Sequence, residues 1–193
     1  MGKLAQARLS VSIFVILILF VGFNWYTSEK ARSFEEPSDA LLDLEPNLLI
    51  IPGYKKNNVS LYFFMKESKK MGATFLEHGI FGWKTEGNLL YTTMGEEADY
   101  LTLDKYVVHD DYFVYGLVRS EVQPIIKVNG KEATLLNLNM LDSSKVKEYR
   151  LENMYIWYVE DGFPITDGKI EMINKETKEL ITTTKLDMKK GAE

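Results

Sequence analysis

The chain has 193 residues, of which 46% are hydrophobic and 26% are charged, and its formal net charge is −5. This composition excludes a chain that is disordered over most of its length, and the acidic balance argues against nucleic acid or an anionic lipid surface as the partner. The absence of cysteine excludes disulfides, thiolate metal ligands and cysteine nucleophiles.

The first predicted element is an apolar segment at residues 9–26, which reads LSVSIFVILILFVGFNWY and contains no charged side chain. As a helix it spans about 27 Å, close to the thickness of the hydrocarbon core of a bilayer. Trp25 and Tyr26 stand at its far end, where aromatic rings are typical of the headgroup boundary. The sequence therefore predicts a transmembrane helix, preceded by a short cytoplasmic leader at residues 1–8.

A cleaved secretory signal is the alternative interpretation of this segment, because Lys3 and Arg8 precede it as basic residues precede a signal's apolar region. The bulky residues 23–26 do not supply the small side chains of a cleavage site, so a retained signal anchor is favoured. The short leader favours a cytoplasmic N-terminus. We therefore expect everything after a spacer at residues 27–38 to lie outside the cytoplasm.

An extracytoplasmic β-rich domain is predicted over residues 39–184, and it begins with a β-meander at about 48–93. Residues 59–66 carry apolar and aromatic side chains in alternation and predict a strand, and residues 72–77 predict its antiparallel partner. The apolar run before this pair is predicted to end at Pro52, because Pro-Gly is typical of a turn.

A second group of strands is predicted at about 105–184. Its clearest local signal is Asn129-Gly130, because this pair supplies the positive φ that a two-residue hairpin requires. Residues 154–159 are typical of a buried strand. Residues 106–119 are interpreted either as a hairpin that turns at residues 109–111 or as a loop followed by a strand.

The predicted fold class is mainly β, because short strands with a turn signal about every ten residues are typical of an antiparallel β-sandwich. The C-terminal half is predicted to resemble an immunoglobulin domain, with the meander packed beside it. One or two short helices are expected, with Ser38 or Asp39 as the candidate cap of the first and the run Asp142-Ser143-Ser144 as that of the second. The polar residues 185–193 are predicted to form a flexible tail.

Four short motifs occur in a fixed order: LEHGIFGWK at 76–84, VYGLV at 114–118, IKVNGKEA at 126–133 and YIWY at 155–158. This arrangement resembles a group of small extracytoplasmic proteins of Gram-positive bacilli that are anchored by a membrane helix or a lipid. The resemblance covers roughly residues 40–180, and it implies an envelope location and a β-rich domain. It implies no activity, and it supplies no functional residues.

The first candidate polar site is the run His109, Asp110 and Asp111. A histidine beside two carboxylates can bind a divalent ion or act as an acid/base pair. Adjacent residues of a turn seldom converge on one point, so a hydrated turn is the favoured interpretation.

A second polar candidate is the segment EDGFPITDGKIE, in which Asp161, Asp167 and Glu171 offer oxygen ligands of the kind that calcium prefers. Their spacing differs from that of an EF-hand loop, so a polar loop between strands is favoured over a calcium site.

Aromatic residues supply a third candidate, a partner surface formed by Trp83, Tyr155, Trp157 and Tyr158. Amphipathic rings of this kind contribute large contact areas in protein interfaces. Burial in the core is the favoured alternative, because residues 155–158 lie within one strand segment and must point to both of its faces.

No catalytic, metal-binding or cofactor-binding motif is present in the sequence, so no catalytic residue, metal or cofactor is predicted. The sequence favours a non-catalytic module at the cell envelope that contacts an envelope protein or a wall polymer. A second hypothesis is a wall hydrolase that uses Asp110 with Glu160 or Asp161. A third is a structural or regulatory subunit whose anchor pairs with another membrane helix.

Overall fold

The computed structural model describes residues 2–67, 70–85, 89–93 and 100–189. Within them the protein is mainly β, with three antiparallel sheets and three α-helices. The prediction of a mainly β fold is therefore confirmed.

The chain begins with one long helix, and the helices and strands that follow it are short. The helices are α1 (Gly2–Ala31), α2 (Pro37–Leu44) and α3 (Ser143–Tyr149). The strands are β1 (Leu49–Lys56), β2 (Val59–Lys66), β3 (Lys70–Gly79), β4 (Gly82–Thr85), β5 (Thr92–Thr93), β6 (Tyr106–Asp110), β7 (Phe113–Arg119), β8 (Pro124–Val128), β9 (Lys131–Glu132), β10 (Thr134–Asn137), β11 (Met154–Glu160), β12 (Gly168–Asn174) and β13 (Leu180–Leu186). A 3₁₀ turn lies at Leu138–Met140.

The chain divides into two compact units. Unit 1 comprises Met1–Phe64 and Ala73–Leu90, and unit 2 comprises Met65–Gly72 and Tyr91–Glu193. Strands β2 and β3 therefore contribute residues to both units.

Helix α1 contains the predicted transmembrane segment and extends beyond it at both ends. It runs into the predicted leader and through Ala31 of the predicted spacer, because no proline interrupts it. Its part Ile13–Ala31 is long and apolar enough to cross a membrane, and none of it is buried. An N-terminal signal sequence can meet the same criteria of length and apolar composition.

Unit 1 contains the meander, whose strand order is β1-β2-β3-β4. Strand β1 continues through Pro52 to Lys56, so the predicted end at Pro52 is wrong. Because β1 is an edge strand, proline can lie in it without removing a hydrogen bond from the interior of the sheet. The turn to β2 lies instead at residues 57–58, where Asn57 has a φ of 53°.

Helix α2 precedes the meander and packs on it. It begins at Pro37, which needs no hydrogen-bond acceptor in the first turn, and its N-cap residue is Glu36. Ser38 and Asp39 therefore lie inside the helix and do not cap it. The buried residues Ala40 and Leu41 of α2 belong to one core cluster with Leu76 and Trp83.

Unit 2 is built on two four-stranded sheets, with the strand orders β10-β11-β7-β6 and β13-β12-β8-β9. One buried cluster contains side chains from both sheets, among them Val114 and Trp157 of the first and Ile126 and Ile170 of the second. Strands β7 and β11 are buried at nearly every position. The core of unit 2 therefore lies against the first sheet, and both faces of its two central strands are covered.

Two local signals in unit 2, the Asn129-Gly130 turn and the cap of α3, are confirmed. Asn129 and Gly130 have φ values of 51° and 86° and join β8 to β9. Asp142 caps α3 by accepting a hydrogen bond from the backbone N–H of Ser144 at 2.8 Å. Strands β6 and β7 form a hairpin, but its turn lies at residues 111–112, because β6 continues to Asp110.

The predicted tail is partly wrong, because β13 continues to Leu186, whose side chain is buried. The chain beyond it is also held, since the backbone N–H of Met188 donates to the Asp167 carboxylate at 2.8 Å. Residues 190–193 of the predicted tail lie outside the described residues.

Candidate functional site

The four aromatic residues of the predicted partner surface are buried. The exposed fractions of Trp83, Tyr155, Trp157 and Tyr158 lie between 0% and 7%. Trp83 belongs to the core of unit 1, and Tyr155 and Trp157 belong to the core of unit 2. Trp83 is buried in the core of unit 1, and the three rings of β11 are buried because both faces of that strand are covered, so none of the four is exposed in the described structure.

The two polar candidates come together at one end of unit 2. The backbone N–H of Asp161 donates to the carbonyl of Tyr112 at 3.0 Å, and that of Ile165 donates to the carbonyl of Asp111 at 2.6 Å. The turn between β6 and β7 therefore lies beside the connection between β11 and β12. We call residues 109–112, 129–131 and 161–167 together the loop end.

The turn between β8 and β9 is the third part of the loop end. The Asn129 side chain donates from Nδ2 to the carbonyl of Thr166 at 2.8 Å and accepts at Oδ1 from the N–H of Lys169 at 2.9 Å. Lys131 Nζ lies 2.8 Å from the Asp161 carboxylate and 2.9 Å from the Glu160 carbonyl oxygen. These contacts hold three loops in a fixed arrangement.

The carboxylates at and near the loop end bind separate partners and do not converge. Asp110 accepts from the N–H of Tyr112 at 2.6 Å, which is an interaction inside its own turn. The three predicted calcium ligands pair as follows: Asp161 with Lys131, Asp167 with Met188 N–H, and Glu171 with Lys169. Within the described residues no group of three histidine or acidic side chains is placed to hold a metal ion.

The acidic pair of the hydrolase hypothesis is separated by a core residue. Asp110 on β6 and Glu160 on β11 are both in register with Phe113, which lies on the strand between them. Two inter-strand spacings place their backbones roughly 9–10 Å apart. Phe113 is buried, and so the pair flanks a packed side chain.

Asp161, the other carboxylate of the hydrolase hypothesis, is the ion-pair partner of Lys131. The hydrogen bond from Lys131 lowers the pKa of the Asp161 carboxyl below its ordinary value, and the charge of Lys131 acts in the same direction. The ion pair therefore stabilises the folded state at pH values above the ordinary pKa of aspartate. This contribution is lost as the pH falls through the lowered pKa of Asp161.

Two exposed aromatic rings distinguish the loop end from an ordinary solvated turn. Phe163 is 79% exposed and Tyr112 is 44% exposed, and both lie on the hydrogen-bonded loops described above. His109 is exposed beside them, and its ring packs edge-on against Phe113 at a centroid distance of 6.0 Å. Aromatic residues are enriched in protein interfaces, so exposed rings on positioned loops are candidates for contact with a partner.

Sequence reasoning missed Tyr112, Phe163, Asn129 and Lys131, although a signal for the two rings exists. Phe163 lies between Gly162 and Pro164, and Tyr112 follows two aspartates. A large ring within such a turn segment cannot join the alternating pattern of a strand. The contacts of Asn129 and Lys131 are long-range, and neither residue differs from an ordinary turn residue in the sequence.

Unit 2 contains a cavity of about 200 Å³. Tyr100, Tyr106, Tyr115 and Gly116 are among its lining residues. The Tyr106 hydroxyl already accepts from the N–H of Asp187 at 2.8 Å. The cavity is smaller than the roughly 300–1,000 Å³ of pockets that enclose drug-sized ligands, so it suits at most a small molecule or one side chain.

Comparison of the chain with protein-family models, with curated protein sequences and with solved structures gives no match. The class of the protein is therefore inferred from three features of its own structure. They are the apolar N-terminal helix, the mainly β body and the exposed rings of the loop end.

Proposed function

We propose that the protein is a single-pass membrane protein that holds a β-rich interaction module outside the cytoplasm. Its loop end contacts an envelope partner, either a protein or a wall polymer. The observation that carries this proposal is the exposure of Phe163 and Tyr112 on loops that are fixed by hydrogen bonds.

Rigid presentation of the rings favours binding. Association costs free energy for every loop and side chain that becomes ordered at the interface. Asn129 and Lys131 already fix the loops on which the rings lie. Binding residues on loops that a rigid scaffold positions are a common arrangement in proteins.

The architecture of unit 2 also supports the proposal. We interpret its two four-stranded sheets, with side chains of both in one buried cluster, as a β-sandwich. Loops at one end of a sandwich serve as the binding surface in antibody variable domains. We interpret the loop end as a surface of the same kind, without assigning the immunoglobulin topology to the chain.

Membrane anchoring is tested by placing two charges in the apolar segment of α1. Replacement of both Ile16 and Leu19 by arginine is expected to move the protein from the membrane pellet to the soluble fraction. Each arginine at the centre of a membrane helix opposes insertion by about 2.5–3.5 kcal/mol, whereas each leucine or isoleucine favours it by about 0.3–0.6 kcal/mol. The measurement is the share of full-length chain that stays with membranes after an alkaline carbonate wash.

The matched control for this experiment is the double change Ile16→Leu with Leu19→Ile, which should leave the protein in the pellet. Protease added to intact cells should digest the β-rich body of the wild-type chain. Wild-type protein in the soluble fraction, or a mature chain that lacks residues 1–26 in the medium, would contradict membrane anchoring.

The loop end is tested by photo-crosslinking in cells. A benzophenone amino acid at position 163 is expected to give a crosslinked product, and Tyr112→Ser should lower its yield by about tenfold or more, as the loss of an interface hot spot does. The control position is 140, because Met140 is 84% exposed but lies outside the loop end.

Digestion of the crosslinked product identifies the kind of partner. Loss of its mass with a protease indicates a protein, and loss with a wall-degrading enzyme indicates a wall polymer. Equal yields at positions 140 and 163, or a yield that Tyr112→Ser does not change, would contradict the proposed site.

A further inference from the structure

The turn between β3 and β4 is an exposed apolar feature of unit 1 that the proposed function does not use. It contains Ile80 and Phe81, and Gly79 and Gly82 pair across its base. Ile80 is 82% exposed. None of the residues 79–82 carries a charge.

This turn packs on the end of helix α1. The ring of Phe81 lies 5.1 Å from the ring of Tyr26 and 6.1 Å from that of Trp25, in edge-on geometry in both cases. Trp25 and Tyr26 are the aromatic residues that mark the headgroup boundary of a membrane helix. Phe81 therefore lies at the height of that boundary.

Three further contacts fix the turn in this position. The backbone groups of Phe34 and Trp83 exchange two hydrogen bonds, at 2.8 Å and 3.0 Å. Lys84 forms an ion pair with Glu29 in the last turns of α1. The chain between α1 and the meander thus does not act as a free linker, because Phe34 in that segment pairs with Trp83 of β4, and Glu29 of α1 pairs with Lys84 of β4.

We infer that the turn containing Ile80 and Phe81 inserts into the lipid interface and forms a second membrane contact beside the anchor helix. This inference rests on the proposed membrane anchoring of α1. With α1 across the bilayer, Phe81 is held against the boundary rings, and Ile80 then lies at the level where the acyl chains meet the headgroups.

The contact is apolar and not electrostatic. Glu29 and Lys84 neutralise each other beside the turn, and the turn itself carries no charge. Burial of an exposed isoleucine side chain is favourable in any bilayer. We therefore expect the Ile80 side chain to insert to the same depth in zwitterionic and in anionic vesicles.

The consequence is a fixed orientation for unit 1. A helix that crosses a membrane alone leaves an attached domain free to rotate about its linker. A second contact removes that freedom, because the turn is held to the helix by the Glu29–Lys84 ion pair and the ring contacts, and to the segment after the helix by the two backbone hydrogen bonds of Phe34.

The test uses a single cysteine in the full chain, which has no native cysteine. Ile80→Cys carries an environment-sensitive fluorophore, and the chain is reconstituted in phosphatidylcholine vesicles that contain lipids with a nitroxide near the headgroup. Met140→Cys is the matched control, because Met140 is 84% exposed and Ile80 is 82% exposed. Flotation of the vesicles shows independently whether the chain is inserted.

At position 80 we expect blue-shifted emission and strong quenching by the nitroxide lipid, with neither effect at position 140. We also expect the unlabelled thiol at position 80 to react with a membrane-impermeant maleimide at least about tenfold more slowly than the thiol at position 140, because water is scarce at that depth.

Floated chain with equal quenching and equal thiol reactivity at the two positions would overturn the inference while leaving membrane anchoring intact. Chain that does not float with the vesicles would overturn both the anchoring and the inference. Quenching at position 80 that needs anionic lipid would overturn the apolar mechanism.

Discussion

Replacement of Trp157 by alanine is expected to lower the free energy of unfolding by about 3–5 kcal/mol, the range observed for large aromatic residues removed from cores. The Trp157 side chain is 0% exposed and lies in the cluster that contains residues of both sheets of unit 2. It faces Gly116 on the neighbouring strand, where an added Cβ would lie 2.7 Å from the indole ring. The measurement is denaturant unfolding of the full chain in detergent, followed by circular dichroism.

Phenylalanine at position 157 is the matched control, and it separates packing from hydrogen bonding. Among the described residues the buried indole N–H of Trp157 has no hydrogen-bond partner. Trp157→Phe removes this unpaired donor while it keeps a ring in the core, so we expect a loss of less than about 2 kcal/mol. Equal unfolding midpoints for Trp157→Ala and the wild-type chain would show that the ring does not support the core.

Replacement of Gly82 by alanine is expected to destabilise the join between α1 and β4. Gly82 has a φ of 137°, which side chains rarely adopt, and an added Cβ would lie 2.4 Å from the carbonyl oxygen of Phe34. Strain and the loss of hydrogen bonds between Phe34 and Trp83 together predict a loss of about 2–4 kcal/mol. Hydrogen exchange at the amides of these two residues should accelerate about tenfold or more.

Gly79→Ala is the control for this prediction, because Gly79 pairs with Gly82 at the base of the same turn. An added Cβ at position 79 would first meet the end of the flexible Lys84 side chain, at 2.9 Å. We expect this change to cost less than about 1 kcal/mol and to leave the two amides protected, since the added Cβ meets the Lys84 side chain and not the backbone pair of Phe34 and Trp83, although the Glu29–Lys84 ion pair must shift. Similar exchange rates in the two variants would contradict the join.

Features that depend on neighbouring residues in the chain were predictable from the sequence. The strand at 59–66 was predictable because alternation of side chains is a property of the segment itself. The Asn129-Gly130 turn and the Asp142 cap were predictable because both depend on the conformation or hydrogen bonds of adjacent residues.

Features that depend on the position of an element within a sheet were not predictable in this way. Pro52 ends a strand in the interior of a sheet but is tolerated in β1, and only the strand order shows that β1 is an edge. Leu186 was assigned to a polar tail, whereas it is buried in the core of unit 2 by residues far from it in sequence.

The candidate site was predictable only in part, because its segments meet through long-range hydrogen bonds. His109, Asp110 and Asp111 and the segment from Asp161 onward were identified separately, and their meeting at the loop end depends on backbone pairing across about 50 residues. The predicted aromatic surface consisted mainly of rings in a clear strand segment. Large apolar side chains in such a segment are often buried in the core, and these rings are buried.

The sequence alone determined that the protein has a long apolar N-terminal helix and a mainly β body, because apolar runs, alternation and turn pairs act over a few residues. Only the tertiary structure decided which aromatic rings are buried and which are exposed, which polar segments meet, and that the turn at Ile80 packs on the end of α1. Each of these depends on contacts between residues that are distant in the chain, and the local amino-acid composition does not indicate such contacts.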